Sequence, residues 1–343
     1  MEMLQVYCFE GSASLDCREI GHVITLKENY NHFLGSTVSN PFEGEHSSTP
    51  INIEQGVFVP NDPPGVYIIN NMAHYDGVLL SVHFVTEEWS TVEGSAVMVA
   101  PGIALTAAHV VEPLMPHVMA RQLRVLCIGY TPSGPRYWRV AQVTKVNNSD
   151  IMILALKYAT ALPSDGRFVQ TMITTRLPGI GEQVMIAGIR ASREHVEADA
   201  DMAFPIVGAH IKYGADVRVA VGEVTQHHLG GRGKVLSSSV IEVACSTPGG
   251  LSGGPAFDKH GKVFGILSAS IDDPDGRGPS QISMIWPALA LTISPAFLEQ
   301  YLPASFRLLD LDDKLCGIDR RDVIRTSTDA GSGLTRMEWD HYT

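Results

Sequence analysis

Between residues 78 and 290 the chain consists of short β-type segments separated by residues that favour turns. Many short strands at even spacing are typical of β-sandwiches and barrels rather than of βαβ units. We predict six strands before the Thr160–Gly181 connection and six after it. The first six are Leu79–Val85, Ser95–Ala100, Ile103–Thr106, Leu123–Gly129, Trp138–Val146 and Ile151–Leu156. The second six are Gln183–Ile189, Ile206–Tyr213, Val217–Thr225, Val240–Ala244, Lys262–Ser270 and Gln281–Trp286. This pattern predicts an all-β fold of two packed six-stranded antiparallel β-barrels.

The segments outside this pattern divide the rest of the chain. Residues 1–77 mix short apolar runs with Gly, Ser, Asn and Pro, and we expect an N-terminal extension that packs on the body. The first barrel is expected at 78–165 and the second at 166–304. The second barrel includes a C-terminal helix at Pro295–Tyr301, where apolar residues have helical spacing. Residues 305–343 are predicted to form a partly mobile C-terminal tail.

Composition narrows the classes of partner. The 343 residues are 45% hydrophobic, which is enough for more than one core. There are 25 Lys and Arg against 37 Asp and Glu, and the net charge of −12 argues against a nucleic-acid partner, which needs a basic face. No run reaches the roughly 18 apolar residues of a membrane span, so no membrane partner is expected.

The cysteines and the N-terminus bear on the compartment. The five cysteines are few, odd in number and scattered, so they suggest neither a disulfide framework nor a zinc site. The first ten residues lack the basic and apolar regions of a secretory signal. We therefore expect a cytoplasmic protein, with a secreted protein whose signal has been trimmed as the alternative.

The segment Gly249–Pro255 carries the strongest chemical signal, because glycines stand on both sides of Ser252. Glycine is favoured where the backbone takes φ > 0 or approaches another group closely. A serine on such a loop exposes its hydroxyl and leaves nearby backbone N–H groups free to bind an anion, as a nucleophile with an oxyanion hole requires. The alternative is a tight turn that carries a serine without a catalytic role.

A serine nucleophile needs a base, and the base needs a carboxylate to orient it. Among thirteen histidines, His109 stands out because it follows an apolar strand within Thr106–Val110. Asp150 directly precedes the apolar strand Ile151–Leu156, where its charge is poorly solvated and favours a partner. Taken singly, these residues could be a locally satisfied histidine and a turn aspartate. The order His109, Asp150, Ser252 in one chain is more specific than any one motif.

The three motifs together resemble those of the chymotrypsin/trypsin-like serine peptidases, within them the bacterial branch that includes HtrA-type and glutamyl endopeptidases. The similarity covers roughly residues 78–303. It extends to Gly94–Val99 before the histidine, Val184–Gly188 at the start of the second barrel, and Val263–Ser268 after the serine loop.

The resemblance implies a role for each matching residue. Ser252 would be the nucleophile, His109 the general base and then acid, and Asp150 the orienting carboxylate. The backbone N–H groups of Gly250 and Ser252 would form the oxyanion hole. The protein would then be a serine endopeptidase that cleaves protein or peptide substrates through an acyl-enzyme, with no metal and no organic cofactor.

The resemblance also places a substrate-binding edge at Ser268, Ala269 and Ser270, where an extended peptide would pair by strand addition. Ser268 matches the family position whose side chain can brace Asp150. A polar residue that only ends a strand is the alternative for Ser268.

The primary specificity pocket would lie beside Ser246 and Thr247. Because position 246 is not Asp, cleavage after Arg or Lys is not expected. Thr247 and Ser270 are similar to residues of the glutamyl endopeptidases, but Leu267 stands where those enzymes carry a pocket histidine. We expect a small or medium, uncharged substrate residue at P1.

Position 251 departs from the family pattern. Many secreted members carry Asp there, and this Asp pairs with a newly cut N-terminus during activation. Leu251 cannot form that ion pair, so we predict no trypsinogen-type activation and expect other contacts to order the loop. Two alternatives to a constitutively active peptidase are an inactive protease fold that binds a partner and a latent enzyme switched on by a regulatory protein.

His227 and His228 lack an evident third ligand and are expected in a solvated loop rather than in a metal site.

Overall fold

The computed structural model describes residues 5–9, 12–17, 23–25, 44–53, 58–61, 65–69, 71–86, 90–120, 122–160, 165–192, 204–206, 209–211, 214–233, 236–271, 278–295, 302–328 and 335–340. Its strands are β1 (Gln5–Phe9), β2 (Ser12–Cys17), β3 (Val23–Thr25), β4 (Glu45–Thr49), β5 (Phe58–Asn61), β6 (Val66–Ile69), β7 (Leu79–Val85), β8 (Ser90–Ala100), β9 (Ile103–Ala107), β10 (Arg124–Thr131), β11 (Gly134–Lys145), β12 (Ile151–Tyr158), β13 (Arg167–Thr171), β14 (Ile173–Thr174), β15 (Gln183–Ser192), β16 (Phe204–Ile206), β17 (Ala209–Ile211), β18 (Gly214–His228), β19 (Val240–Val243), β20 (Pro255–Phe257), β21 (Val263–Ser270), β22 (Ser280–Met284), β23 (Ile318–Asp319), β24 (Arg325–Thr328) and β25 (Thr335–Asp340). The short α-helices are α1 (Ala108–Val111), α2 (Met115–Met119) and α3 (Trp286–Ala290).

The first barrel consists of β7 to β12. The strands pair in the order β10-β7-β8-β9-β12-β11, and a ladder between β10 and β11 closes the barrel. All these ladders are antiparallel. Every residue of β7 is buried, because one face fills the barrel and the other packs against β15 of the second barrel.

The second barrel has the order β15-β20-β21-β22-β19-β18 and is closed by the ladder between β15 and β18. The structure therefore confirms an all-β fold of two six-stranded antiparallel barrels. The predicted connection between them carries two further strands, β13 and β14. The predicted strand Ile206–Tyr213 is replaced in its described part by the hairpin of β16 and β17.

Strands from the first 77 residues add to both barrels. Strand β3 pairs with β11 of the first barrel, and β6 pairs with β18 of the second. Strand β4 lies parallel to β13. Strands β1 and β2 form a separate sheet with β24 and β25, so the two ends of the chain share one sheet.

The predicted C-terminal tail is packed in its first half. Leu308, Leu309 and Leu311 are buried, and β23 pairs with β14 beside the second barrel. Burying these leucines offsets the entropy of ordering the segment, at about 25 cal/mol per Å² of apolar surface. In the predicted helix Pro295–Tyr301, residues 296–301 lie outside the described residues.

None of the described helices combines the length and the apolar character needed to cross a bilayer.

Candidate active site

His109 lies at the rim of the first barrel, directly after the end of β9. Strand β9 ends at Ala107, and the chain turns into α1, a single helical turn. The neighbours Ala108 and Val110 are buried in the core, whereas the His109 side chain is 45% exposed. The buried neighbours anchor the turn, so the exposed imidazole is held by the barrel itself.

Asp150 stands next to His109 because β9 and β12 pair with Ala107 opposite Ile151. Its Oδ2 accepts a hydrogen bond from His109 Nδ1 at 2.8 Å, and its Oδ1 accepts one from the His109 backbone N–H at 3.0 Å. A carboxylate only accepts hydrogen bonds, so Nδ1 carries the proton and Nε2 is left as an acceptor. This is the tautomer that a general base needs.

Ser252 lies on a tight loop between β19 and β20. Gly250 and Gly253 have φ of +96° and +82°, in the left-handed region that glycine tolerates. At Gly253 a Cβ would lie 2.2 Å from Ser95 O and 2.2 Å from Thr106 Oγ1, so no larger residue fits. The next turn is tied to β21, since the Gly253 N–H donates to Leu267 O at 2.9 Å.

The serine loop docks against the first barrel close to α1. The Ser95 N–H donates to Ser252 O at 2.8 Å. A Cβ at Gly94 would lie 2.7 Å from Ser252 O and 2.8 Å from the side chain of Val110, the neighbour of His109. The fold thus brings the three predicted residues to one place. No hydrogen bond joins Ser252 Oγ to His109 Nε2 in the described structure, and such bonds are often long before substrate binds.

The predicted pocket residues also come together. The Thr247 N–H donates to Ser270 Oγ at 3.2 Å, and Thr247 Oγ1 lies 3.0 Å from Ser280 Oγ. Ser246 is buried beside them. Ser280 was not predicted, although it begins β22, one residue before the expected strand. Its hydroxyl donates to Cys245 O at 2.8 Å and so links the start of β22 to the segment that carries Ser246 and Thr247.

The predicted substrate edge lies on β21, where Ala269 and Ser270 are partly exposed. Among the described strands, β20 pairs with β21 as far as Ile266, and Gly253 and Gly254 hydrogen-bond to Leu267, so the open side of β21 begins after Leu267. Ser268 does not brace Asp150 here. It sits at a β-bulge, which redirects a side chain, and its hydroxyl lies 2.7 Å from Ser283 Oγ.

Residues 94–266, about half of the chain, match the trypsin-like peptidase domain. The chain belongs to this family. No curated protein sequence matches it.

Solved structures similar to this chain include three of low sequence identity. The MamO protease domain from Magnetospirillum magneticum is 16% identical, with 61% of this chain and 93% of that one covered, at a TM-score of 0.38. Deg5 is 14% identical, with 61% of this chain and 84% of Deg5 covered, at a TM-score of 0.39. Neuropsin from mouse brain is 17% identical, with 64% of this chain and 93% of neuropsin covered, at a TM-score of 0.42.

In this trypsin-like peptidase domain, Leu251 gives the serine loop an apolar anchor. Its side chain is fully buried. It rests directly on β15, since a Cβ at Gly188 would lie 2.8 Å from Leu251 Cα. Apolar burial of this residue orders the loop from within, without the ion pair that an aspartate would make at this position.

The substitution Leu251→Ala is expected to lower the free energy of unfolding by about 2–5 kcal/mol, because it leaves a cavity under the loop. Urea denaturation measures the change. Ile180→Ala is the control, since that side chain is 62% exposed and its loss should change stability by about 0.5 kcal/mol or less. Equal effects of the two substitutions would contradict the anchoring role of Leu251.

Cys245 is the cysteine nearest to Ser252 along the chain. Cys245 is free and buried, and burial raises the pKa of its thiol to about 11. It is therefore protonated at neutral pH and a poor nucleophile. Within the part of the chain that the structure describes, no group of three His, Cys, Asp or Glu side chains is arranged to hold a metal ion.

Proposed function

We propose that this protein is a serine endopeptidase that hydrolyses peptide bonds through an acyl-enzyme. One observation carries the proposal. Asp150 holds both the backbone and the ring of His109, with Nε2 left as the acceptor, beside the glycine loop that presents Ser252. A base with this tautomer close to a serine on a glycine loop is the arrangement that a Ser-His-Asp triad requires.

The reaction proceeds in two halves. Ser252 Oγ attacks the scissile carbonyl carbon while His109 Nε2 takes the hydroxyl proton. The imidazolium then gives that proton to the leaving amine, and the C–N bond breaks to leave an ester on Ser252. In the second half a water molecule attacks the ester, His109 takes its proton and returns it to Ser252 Oγ. Asp150 stabilises the imidazolium and stays ionised throughout.

The oxyanion of each tetrahedral intermediate would be bound by the N–H groups of Gly250 and Ser252. Neither N–H has an acceptor among the described residues, so both are available to a ligand. The positive φ of Gly250 sets the direction of the peptide plane on this side of the serine.

The substrate is a protein or peptide with a small or medium, uncharged P1 residue. The hydroxyls of Thr247, Ser270 and Ser280 hydrogen-bond with one another or with backbone groups in the pocket wall. None of these residues, nor Ser246, carries a charge that would pair with Arg, Lys or Glu. The mechanism uses no metal or organic cofactor.

A second candidate is a protease fold that binds a partner without turnover. The absence of a hydrogen bond between Ser252 Oγ and His109 Nε2 favours it, since the nucleophile and the base are not engaged here. A latent enzyme, in which a regulatory protein closes that contact, accounts for the same observation.

A fluorophosphonate probe distinguishes these candidates. We expect it to modify Ser252 in the parent protein and to leave Ser252→Ala unmodified, as seen by mass spectrometry of the intact protein and its peptides. The labelling rate should fall as the pH is lowered through the range in which histidine is protonated, because protonated His109 cannot take the serine proton.

Each contrary result has a meaning. A folded parent that stays unlabelled at every pH would support the binding module, and labelling that appears only with an added partner would support the latent enzyme. A labelling rate independent of pH would remove His109 from the role of base.

A further inference from the structure

Ser95 joins the two barrels at the serine loop. It lies on β8, is fully buried, and faces Ser81 across the ladder with β7. Its Oγ accepts a hydrogen bond from the Ile189 N–H of β15 at 2.8 Å. Its own hydroxyl hydrogen has two acceptors within reach, Gly250 O at 3.3 Å and Ile189 O at 3.4 Å.

The backbone of Ser95 is held as firmly as its side chain. Its N–H donates to Ser252 O at 2.8 Å, and its carbonyl accepts from Thr106 Oγ1 at 2.6 Å. Thr106 leads along β9 to His109. Thr106, on the strand that leads to His109, therefore positions the Ser95 backbone. The Ser95 hydroxyl reaches Gly250, whose N–H belongs to the proposed oxyanion hole.

Two peptides flank the Gly250 Cα: the following one has the Leu251 N–H 3.5 Å from Pro248 O, and the preceding one carries the Gly250 N–H. Gly249 is exposed, and a Cβ added there would meet no atom within 4 Å. Among the described residues, Ser95 is the only one that hydrogen-bonds to Gly250. The Gly250 N–H belongs to the peptide between two glycines, which have wide conformational freedom, so it could rotate away from the substrate if the Gly250 Cα were not held.

We propose that Ser95 is a positioning residue for the oxyanion hole, whose hydroxyl binds the Gly250 carbonyl and so holds the Gly250 Cα, the atom that fixes where the Gly250 N–H stands relative to the developing oxyanion. This inference rests on the proposed peptidase function. Because the hydroxyl has one hydrogen, donation to Ile189 O releases Gly250, and donation to Gly250 O holds the hole in its binding shape.

The test compares fluorophosphonate labelling of the parent with that of Ser95→Ala, Ser95→Cys and Ser81→Ala. Ser81 is the matched control, because it is also a fully buried serine whose hydroxyl is hydrogen-bonded, to His83 Nε2 and Ile128 O, but within the first barrel. Ser95→Cys keeps the shape of the side chain and replaces the hydroxyl with a weak donor.

We expect Ser95→Ala to slow labelling by about 10- to 100-fold, since misplacing a catalytic donor by about 1 Å can cost about 10²-fold. Ser95→Cys should fall between parent and alanine. With a peptide that the parent cleaves, kcat should fall while KM stays near the parent value. The pH dependence of labelling should keep its midpoint, because the pair of His109 and Asp150 is untouched. Ser81→Ala should label about as fast as the parent.

The outcomes separate the two levels of the argument. A parent that is not labelled refutes the proposed function and this inference with it. A labelled parent with an equally fast Ser95→Ala overturns the inference alone. So does a Ser81→Ala variant slowed as much as Ser95→Ala, or a loss that appears in KM or in the pH midpoint, since each would point to a general structural effect.

Discussion

Replacement of Ser252 by alanine is expected to lower turnover by about 10⁴-fold or more, as loss of a triad nucleophile does elsewhere. The fold should be unaffected. Ser252 is half-buried, and its hydroxyl makes no hydrogen bond among the described residues, so no stabilising contact is lost. Cleavage sites in a peptide library, mapped by mass spectrometry, measure activity and P1 preference together.

The matched control is Ser133→Ala, which removes an exposed serine hydroxyl in the turn between β10 and β11. It should cleave the library as the parent does, and the unfolding midpoints of both variants should stay close to that of the parent. If Ser252→Ala cleaves the same sites at the parent rate, the serine assignment is wrong. If the parent itself cleaves nothing, the endopeptidase proposal fails, provided that the protein is folded.

The substitution Asp150→Asn is expected to lower kcat/KM by about 10³- to 10⁴-fold. Asp150 accepts two hydrogen bonds from His109, one on each carboxylate oxygen. An asparagine of the same shape offers one oxygen and one NH₂ group, so it cannot accept both. If the oxygen keeps the backbone N–H, the NH₂ group faces Nδ1, drives the ring proton to Nε2, and leaves no base for Ser252.

Asp322→Asn is the control for the loss of one negative charge, because Asp322 is exposed and lies in the C-terminal region. It should leave both kcat/KM and the labelling rate unchanged. Circular dichroism and urea denaturation establish whether Asp150→Asn remains folded. A folded Asp150→Asn that keeps more than about a tenth of parent activity would show that His109 does not depend on this carboxylate.

The fold was predictable because its signals are local, and the candidate triad residues were indicated by three short motifs in the order of a known family. Residues that favour turns separate the strands along the sequence. The glycines around Ser252 are required because the backbone there takes positive φ and packs against Ser95 and Thr106. The burial of the leucines from 308 to 311 was missed. The charged residues around them favoured a mobile tail, whereas the turn at Leu308–Asp310 packs against α3, a contact that the local sequence does not indicate.

Ser280 and Ser95 were missed for a different reason. Each is one small polar residue on a strand, and although Ser95 lies in the Gly94–Val99 motif, its flanking residues do not indicate what its hydroxyl binds. The partners of the Ser95 hydroxyl lie 94 and 155 residues further along the chain, and that of Ser280 lies 35 residues before it. The Ser280 contact forms only when β19 and β22 pair, and the Ser95 contacts form only when the two barrels pack together.

The sequence alone determined the class of fold and indicated the candidate reactive groups, because alternation, turn chemistry and glycine requirements act over a few residues. Tertiary structure alone decided how those groups are held. The β9–β12 pairing joins Asp150 to His109, burial of Leu251 anchors the serine loop, and the packing of β8 on β15 brings the Ser95 hydroxyl to Gly250. Hydrogen bonds act only over about 3 Å, so they depend on the distance in space that folding sets and not on separation along the chain.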